Sequence, residues 1–305
     1  MIVTLWVIAT LTFFLINLMP GDPISNKAKT LPKATYNAIK EKYHLNDPIT
    51  KRYVIYLGDL VKGDLGESIN FPGRKVNTII KKELPASARL GLQAVVFGLI
   101  IGLSLGIIAA FKRETWVDYV VMFIAIIGVS IPGFVMAILL QYAFGGKYGI
   151  PTTGWSTKQL FLTPLKYTIL PTLALSFAGI ASNARFMKAA VLDVVNQDYI
   201  LTAKAKGVSR FTLIYKHILR NSIIPVVTII GPRIAMIITG SIVVEKLFAI
   251  PGLGRELVDA INNRDYTVIM SLTVFFAFLY VVSLLVVDIV YVLVDPKIKL
   301  GNVKE

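Results

Sequence analysis

Residues 90–111, LGLQAVVFGLIIGLSLGIIAAF, carry no charge over a length that decides the architecture. An α-helix rises about 1.5 Å per residue, so ~20 apolar residues cross the ~30 Å hydrocarbon core of a bilayer. Lipid offers no partner to a lone backbone N–H or C=O, so such a stretch must be helical. Gly98, Gly102 and Gly106 recur at every fourth position. They flatten one face of the helix and let a neighbouring backbone approach closely. Working outward, five further stretches read the same way: Met1–Met19, Tyr119–Phe144, Tyr167–Ala184, Ser222–Val244 and Tyr266–Val294. Composition agrees with this reading. The 305 residues are 55% hydrophobic and 16% charged, where a soluble domain has about 25% charged residues. So little charge would leave a soluble surface uncovered, and so much apolar content excludes disorder. The expected class is an all-α polytopic membrane protein with six transmembrane helices.

The first span, 1–19, reads as a retained helix rather than a signal peptide. It lacks a basic lead, its apolar run is long, and Pro20-Gly21-Asp22-Pro23 is no small-residue cleavage site. Its start on Met-Ile-Val, already inside the apolar run, looks clipped or late. The third span contains Ser130-Ile131-Pro132-Gly133, where proline removes a backbone hydrogen bond and a kink is expected. Pro132 is therefore a candidate pathway residue, although a kink equally serves a bent packing helix. Arg233 and Asp288 are charges inside apolar stretches, and such charges face protein or water. Arg233 is a second pathway candidate, with a structural role equally open; Asp288 reads as interfacial.

The connections are unequal. Segment 20–89 is a long first loop, expected to fold as a small cap with helices at Asn37–Tyr43 and Ile49–Leu60 and a turn at Gly63–Gly66. Segments 112–118, 185–221 and 295–305 together hold twelve Lys and Arg, whereas 145–166 and 245–265 hold six. Short basic loops stay in the cytoplasm, which puts both termini there and the 20–89 cap outside. Residues 90–294 then form the membrane core and 295–305 a cytoplasmic tail. No acidic or histidine chain runs through the spans, against a proton-coupled pump. His44 and His217 fall in loops on opposite sides and cannot share a site; no metal-ligand spacing and no catalytic triad is readable. There is no cysteine, and no Gly-x-x-x-x-Gly-Lys-[Ser/Thr] phosphate loop. The chain is expected not to be an enzyme.

The 185–221 segment carries the most information. Asp198 suits a helix N-terminus, Gly207 a helix stop, and Ser209 a cap for a second helix over Arg210–Asn221. Small Ala203 and Ala205 admit a close partner, and Lys204 and Lys206 add charge. Such an elbow suits a mechanical joint to a soluble protein, or a basic helix lying on anionic lipid.

Thr202-Ala203-Lys204-Ala205-Lys206-Gly207, followed by His217-Ile218-Leu219-Arg220-Asn221-Ser222-Ile223-Ile224-Pro225, resembles the coupling segment of ABC-importer permeases of the dipeptide/oligopeptide/nickel group. The likeness extends over nearly the whole chain. Pro20–Pro23 is similar to that group's exit from its first span. Glu245–Gly254 with Arg264-Asp265-Tyr266 is similar to its last external loop, and Asp295-Pro296-Lys297-Ile298 to its tail. The long first loop points to the B-type, oligopeptide permease B-like, partner. Leu201-Thr202-Ala203 stands where the general pattern has an acidic residue and two alanines. The resemblance implies the type I importer permease fold, in the cytoplasmic (inner) membrane of a prokaryote. It implies a second, C-type permease sharing the path, two cytoplasmic ATPases that hold ATP and Mg, and an extracellular peptide-binding protein. It implies no cofactor on this chain and no nucleic acid. Thr202, Ala203, Lys204, Ala205, Lys206 and Gly207 would couple to the ATPases. Phe248, Pro251, Gly252 and Leu253 would serve the outer gate or the binding-protein dock. The implied solute is a peptide, with a nickel or metal chelate as the alternative within the group; a secondary transporter or channel is the alternative outside it.

Overall fold

The structure, a computed structural model, describes residues 1–18, 32–156, 160–226 and 242–294. It is helical, with no β-strand among the described residues. In chain order the elements are α1 (Ile2–Leu18), α2 (Lys33–Lys42), α3 (Ile49–Val61), α4 (Val76–Phe111), α5 (Trp116–Ser130), α6 (Gly133–Phe144), α7 (Leu165–Val195) and α8 (Asp198–Ala205). Then follow α9, which opens at Arg210–Thr212 and winds as a π-helix over Leu213–Leu219, α10 (Ile242–Leu247), α11 (Leu253–Asn262) and α12 (Tyr266–Val294). Among the described residues three helices, α4, α7 and α12, are long and apolar enough to cross a membrane, or four spans if α5 and α6 together make one.

The centre is the pair α4 and α7, which run in the same direction along a glycine seam. Gly98 faces Ser176, Gly102 faces Ile180 and Asn183, and Gly106 faces Ala184 and Met187. A Cβ on Gly102 would lie 2.8 Å from the Ile180 carbonyl oxygen, and one on Gly106 2.5 Å from that of Ala184. On Gly98 the nearest atom would be 3.6 Å away, an ordinary contact. Asn183 Nδ2 donates to the Gly98 carbonyl across the seam at 3.1 Å, satisfying a buried amide without water. A second glycine, Gly128 of α5, presses on Ala181 from another side of α7.

Two expectations about the spans are corrected. Tyr119–Phe144 is not one kinked helix: α5 and α6 stand 110° apart. Proline forces its predecessor out of the α region. Ile131 accordingly adopts φ −89°, ψ 120°, and Pro132 caps the start of α6 with φ −58°, ψ 141°. The bent pair is a broken span or a re-entrant loop rather than a bend in a rod. The helices flanking the bilayer are also longer than their apolar windows. α4 begins at Val76, inside the segment read as loop, and α7 continues past Ala184 to Val195. Bounds set by hydropathy mark where lipid ends, and a helix need not end there. Of the Ser222–Val244 span, residues 227–241 lie outside the described residues, Arg233 with them, as do Pro20–Pro23 and Asp295–Ile298.

Both expected cap helices are present as α2 and α3. Proline precedes each, at Pro32 and Pro48, where its missing N–H costs nothing. α3 lays Tyr53 and Tyr56 on Phe13 of α1, ring centroids 5.4 and 5.3 Å apart, and the Tyr53 and Thr10 hydroxyls bond at 2.7 Å. α1 itself packs on α12.

The seam makes a graded prediction. Gly102→Ala and Gly106→Ala should each destabilise the detergent-solubilised protein by about 1–3 kcal/mol through overpacking, while Gly98→Ala is tolerated. Thermal unfolding of the three variants checks it; equal melting temperatures would contradict the seam.

Candidate functional site

Two groups of residues were expected to act, and they lie at opposite ends of the bundle. At one end is the elbow, α8 and α9. α8 ends in a Schellman turn: the Val208 N–H bonds the Ala203 carbonyl at 3.2 Å and the Gly207 N–H that of Lys204 at 3.0 Å. Gly207 takes φ +72° with open space where a Cβ would stand, so the backbone angle alone demands glycine there. Ser209 Oγ then accepts the Thr212 N–H at 3.3 Å and starts α9. The stop and restart expected from the sequence are both present.

The six expected coupling residues do not share one face. Thr202, Lys204, Ala205, Lys206 and Gly207 are exposed. Ala203 turns inward and is buried with Ile200, Leu213 and Ile218 against Met187 and Val191 of α7. Its small size lets α8 sit close to its own bundle, so the partner it admits is this chain. The exposed face holds a feature the sequence reading missed: Leu201, Phe211 and Tyr215 are 60%, 68% and 57% exposed. The Phe211 and Tyr215 rings pack with centroids 4.4 Å apart. Lys204, Lys206, Arg210 and Lys216, close to them in sequence, are exposed as well. Their i, i+4 spacing on a helix was the available signal. The π-winding over Leu213–Leu219 was not legible; such windings concentrate at functional sites. At the same end Lys188 of α7 pairs with buried Asp118 in the first turn of α5, tying α5 to the shaft that carries the elbow.

At the other end, the Glu245–Gly254 loop is buried rather than displayed. Phe248 and Leu253 are 2% and 0% exposed and Gly252 is buried, while Pro251 is half-buried. A direct binding-protein contact through Phe248 or Leu253 does not fit this placement; they anchor the loop. Phe248 packs with Trp155, Leu90 and Ala137, and its carbonyl accepts the Gly154 N–H at 2.9 Å. The organiser is Glu245, fully buried, which the sequence reading quoted without a role. Its Oε2 accepts the Gly254 and Arg255 N–H groups at 2.8 and 3.2 Å, answering orphan donors at the start of α11. Ser87 Oγ of α4 accepts the Leu253 N–H at 2.9 Å. A Cβ on Gly252 would lie 2.5 Å from Glu245 Oε2 and 2.6 Å from Ser87 Oγ, so glycine is required for closeness.

Asp265 is the second pin. It bonds Ser68 Oγ, accepts the Ile69 and Asn70 N–H groups at 3.2 and 3.3 Å, and caps α12 through the Val268 N–H at 3.4 Å. Arg74 spans Glu83 and Glu256 at 3.4 and 2.8 Å. Within the hairpin so held, the Gly73 N–H and then Lys42 keep the Glu67 carboxyl below its ordinary pKa. No cluster of three or more metal-ligating side chains occurs among the described residues.

Long parallel helices on a glycine seam, an elbow at one end and a buried loop at the other define the class: an ABC-transporter permease fold. A crystal structure described as an amino acid ABC transporter with histidines superimposes with TM-score 0.52, covering 72% of this chain and 94% of that one at 16% identity. The chain belongs to the family described as binding-protein-dependent transport system inner membrane component, which matches residues 102–300. The dipeptide transport system permease protein DppB of Bacillus subtilis is 43% identical over 302 residues, 98% of this chain and 95% of that protein. The oligopeptide transport system permease protein OppB of Escherichia coli is 40% identical over 297 residues, 97% and 95% respectively.

Removing the Asp265 pin should free the hairpin. Asp265→Ala is expected to cost about 1 kcal/mol or more through the lost cap alone. It should expose residues 67–75 to protease, whereas Asp265→Asn keeps an acceptor and much of the protection. Limited proteolysis read by mass spectrometry distinguishes the two.

Proposed function

We propose that this chain is the B-type permease subunit of an ATP-driven importer, sharing with a second, C-type permease a path for dipeptides or oligopeptides across the cytoplasmic membrane of a prokaryote. The observation that carries the reading is the 43% identity to a dipeptide permease along nearly the full length. The relatives named for dipeptide and oligopeptide transport favour a peptide over a nickel chelate. Six spans with both termini cytoplasmic and the 20–89 cap outside complete the proposed topology; the positive loop balance supports it. A peptide-binding protein delivers solute to the cap side. With no phosphate-binding loop in its sequence, the chain takes its energy from two ATPases that bind ATP and Mg and dock on the elbow.

The mechanism follows from differential affinity. ATP closes its ATPase pair, and a ligand moves an equilibrium only as far as it prefers one state. The elbow transmits that preference if it is stiff and gripped. Its Schellman turn and Ser209 cap supply stiffness, and the exposed Phe211–Tyr215 pair supplies the grip, since buried aromatics dominate interface energy. Basic side chains around them steer docking. α8 moves with α7 because Ile200 and Ala203 are packed into it. Outer-gate behaviour is assigned to the Glu245–Gly254 loop, with Phe248 and Leu253 as its internal anchors.

In the reconstituted complex, Phe211→Ala and Gly207→Pro should each cut transport-coupled ATP hydrolysis about tenfold or more, the effect of losing an interface hot spot. Normal coupling in both variants would refute the docking site. ATP-independent flux through the isolated chain would instead favour a channel or secondary transporter.

A further inference from the structure

An importer that accepts peptides of many sequences must grip atoms that all of them share. Those are the backbone amides, the terminal amine and the terminal carboxylate. Two side chains of α4 have the chemistry for the last of these, and each has a buried polar atom without a hydrogen bond. Arg89 has a buried Nε without a hydrogen bond, and no carboxylate pairs with it among the described residues. Its guanidinium carbon lies 5.9 Å from the centre of the Phe161 ring. Gln93, one turn further into the apolar stretch, has a buried Oε1 that accepts nothing. A half-buried charge and a buried amide oxygen left unsatisfied are costly, and each calls for an explanation.

Their position narrows it. At 3.6 residues per turn, Arg89 and Gln93 fall on one side of α4, opposite the Gly98–Gly102–Gly106 side that meets α7. They stand on the half of α4 nearest the Glu245–Gly254 loop, which Ser87 touches. Further along, the same side turns apolar through Val96 and Ile100. The polar pair is therefore confined to the end of this face nearest the Glu245–Gly254 loop. Lipid tails cannot satisfy the buried Gln93 Oε1, and one turn earlier Arg89 Nε is covered without a hydrogen bond.

Resting on the peptide reading above, we infer that Arg89 and Gln93 form a subsite at the mouth of the path that receives the C-terminal carboxylate of the incoming peptide. The guanidinium fork matches a carboxylate with two parallel hydrogen bonds, which a lysine cannot reproduce. The Gln93 carbonyl accepts the N–H of the last peptide bond, and its NH₂ group donates to a carboxylate oxygen. The subsite ignores side chains, as a path for varied peptides requires.

The test uses the complete transporter in vesicles, with one binding protein throughout, so that its own selectivity cancels between variants. Uptake of labelled trialanine is compared with uptake of its C-terminal amide. Arg89→Ala should lower the preference for the free acid about tenfold relative to the unaltered complex, the worth of one charged hydrogen bond, and Arg89→Lys and Gln93→Ala should lower it less. An unchanged ratio in Arg89→Ala overturns the subsite. So does equal loss of both uptakes accompanied by loss of the second permease on co-purification, which would make Arg89 a subunit contact. Equal loss that tracks the anionic lipid content of the vesicles overturns it in favour of a headgroup contact. No uptake of either peptide by the unaltered complex overturns the peptide reading itself, and the subsite with it.

Discussion

The close approach of α4 and α7 is the constraint on which the remaining structure depends. Lipid gives two helices no hydrophobic reason to associate, so their attraction must come from contact and hydrogen bonding. Gly102 and Gly106 allow the contact, and Asn183 reaching the Gly98 carbonyl supplies a bond in a dry place. Both helices then run well past the apolar window, α4 over 36 residues and α7 over 31. They overrun it at opposite ends. α4 carries Glu83 and Ser87 to the loop at one end, and α7 carries Lys188 and the packing face for α8 to the other. The seam thus connects two distant working parts through a stiff core.

At the end opposite the elbow, two acidic side chains hold irregular backbone in place. Glu245 answers the first N–H groups of α11, and Asp265 caps α12 while gripping residues 68–70. Asp265 accepts amide N–H groups on both oxygens, whereas Glu245 accepts them on Oε2 alone. Loops that would otherwise bury unsatisfied backbone are rendered stable by this means. At the elbow end the same work is divided between a glycine turn, a serine cap and the Lys188–Asp118 pair.

Much of this was legible in the sequence, for physical reasons that can be named. Apolar length, free of charge over 90–111 and broken by Asp288 alone over 266–294, identified α4 and α12, and the every-fourth glycines identified the seam before its partner was known. Asp198, Gly207 and Ser209 announced the elbow because caps depend on local chemistry alone. What escaped notice depends on contacts made far along the chain. Ala203 could not be told from an exposed alanine without seeing Met187 and Val191 behind it. Glu245 looked like a loop acid until Ser87 and Gly252 closed around it. Phe248 and Leu253 were read for the outer gate or the binding-protein dock, and only the fold shows that both are buried. Pro132 was read as a bend, and the size of the turn at that proline is set by what α6 packs against.

The seam also limits how this sequence can drift. α7 is pressed on one side by Gly102 and Gly106 and on another by Gly128, whose Cβ would lie 2.7 Å from that of Ala181. Enlarging Ala181 or Ala184, both almost fully buried, meets a neighbouring helix that has already given up its own side chain there. No second reduction is available to make room, so a change on either helix has no compensating change on the other. Neutral variation is thereby driven out of the middle of the bundle and into the faces of α4 and α5 that α7 does not touch.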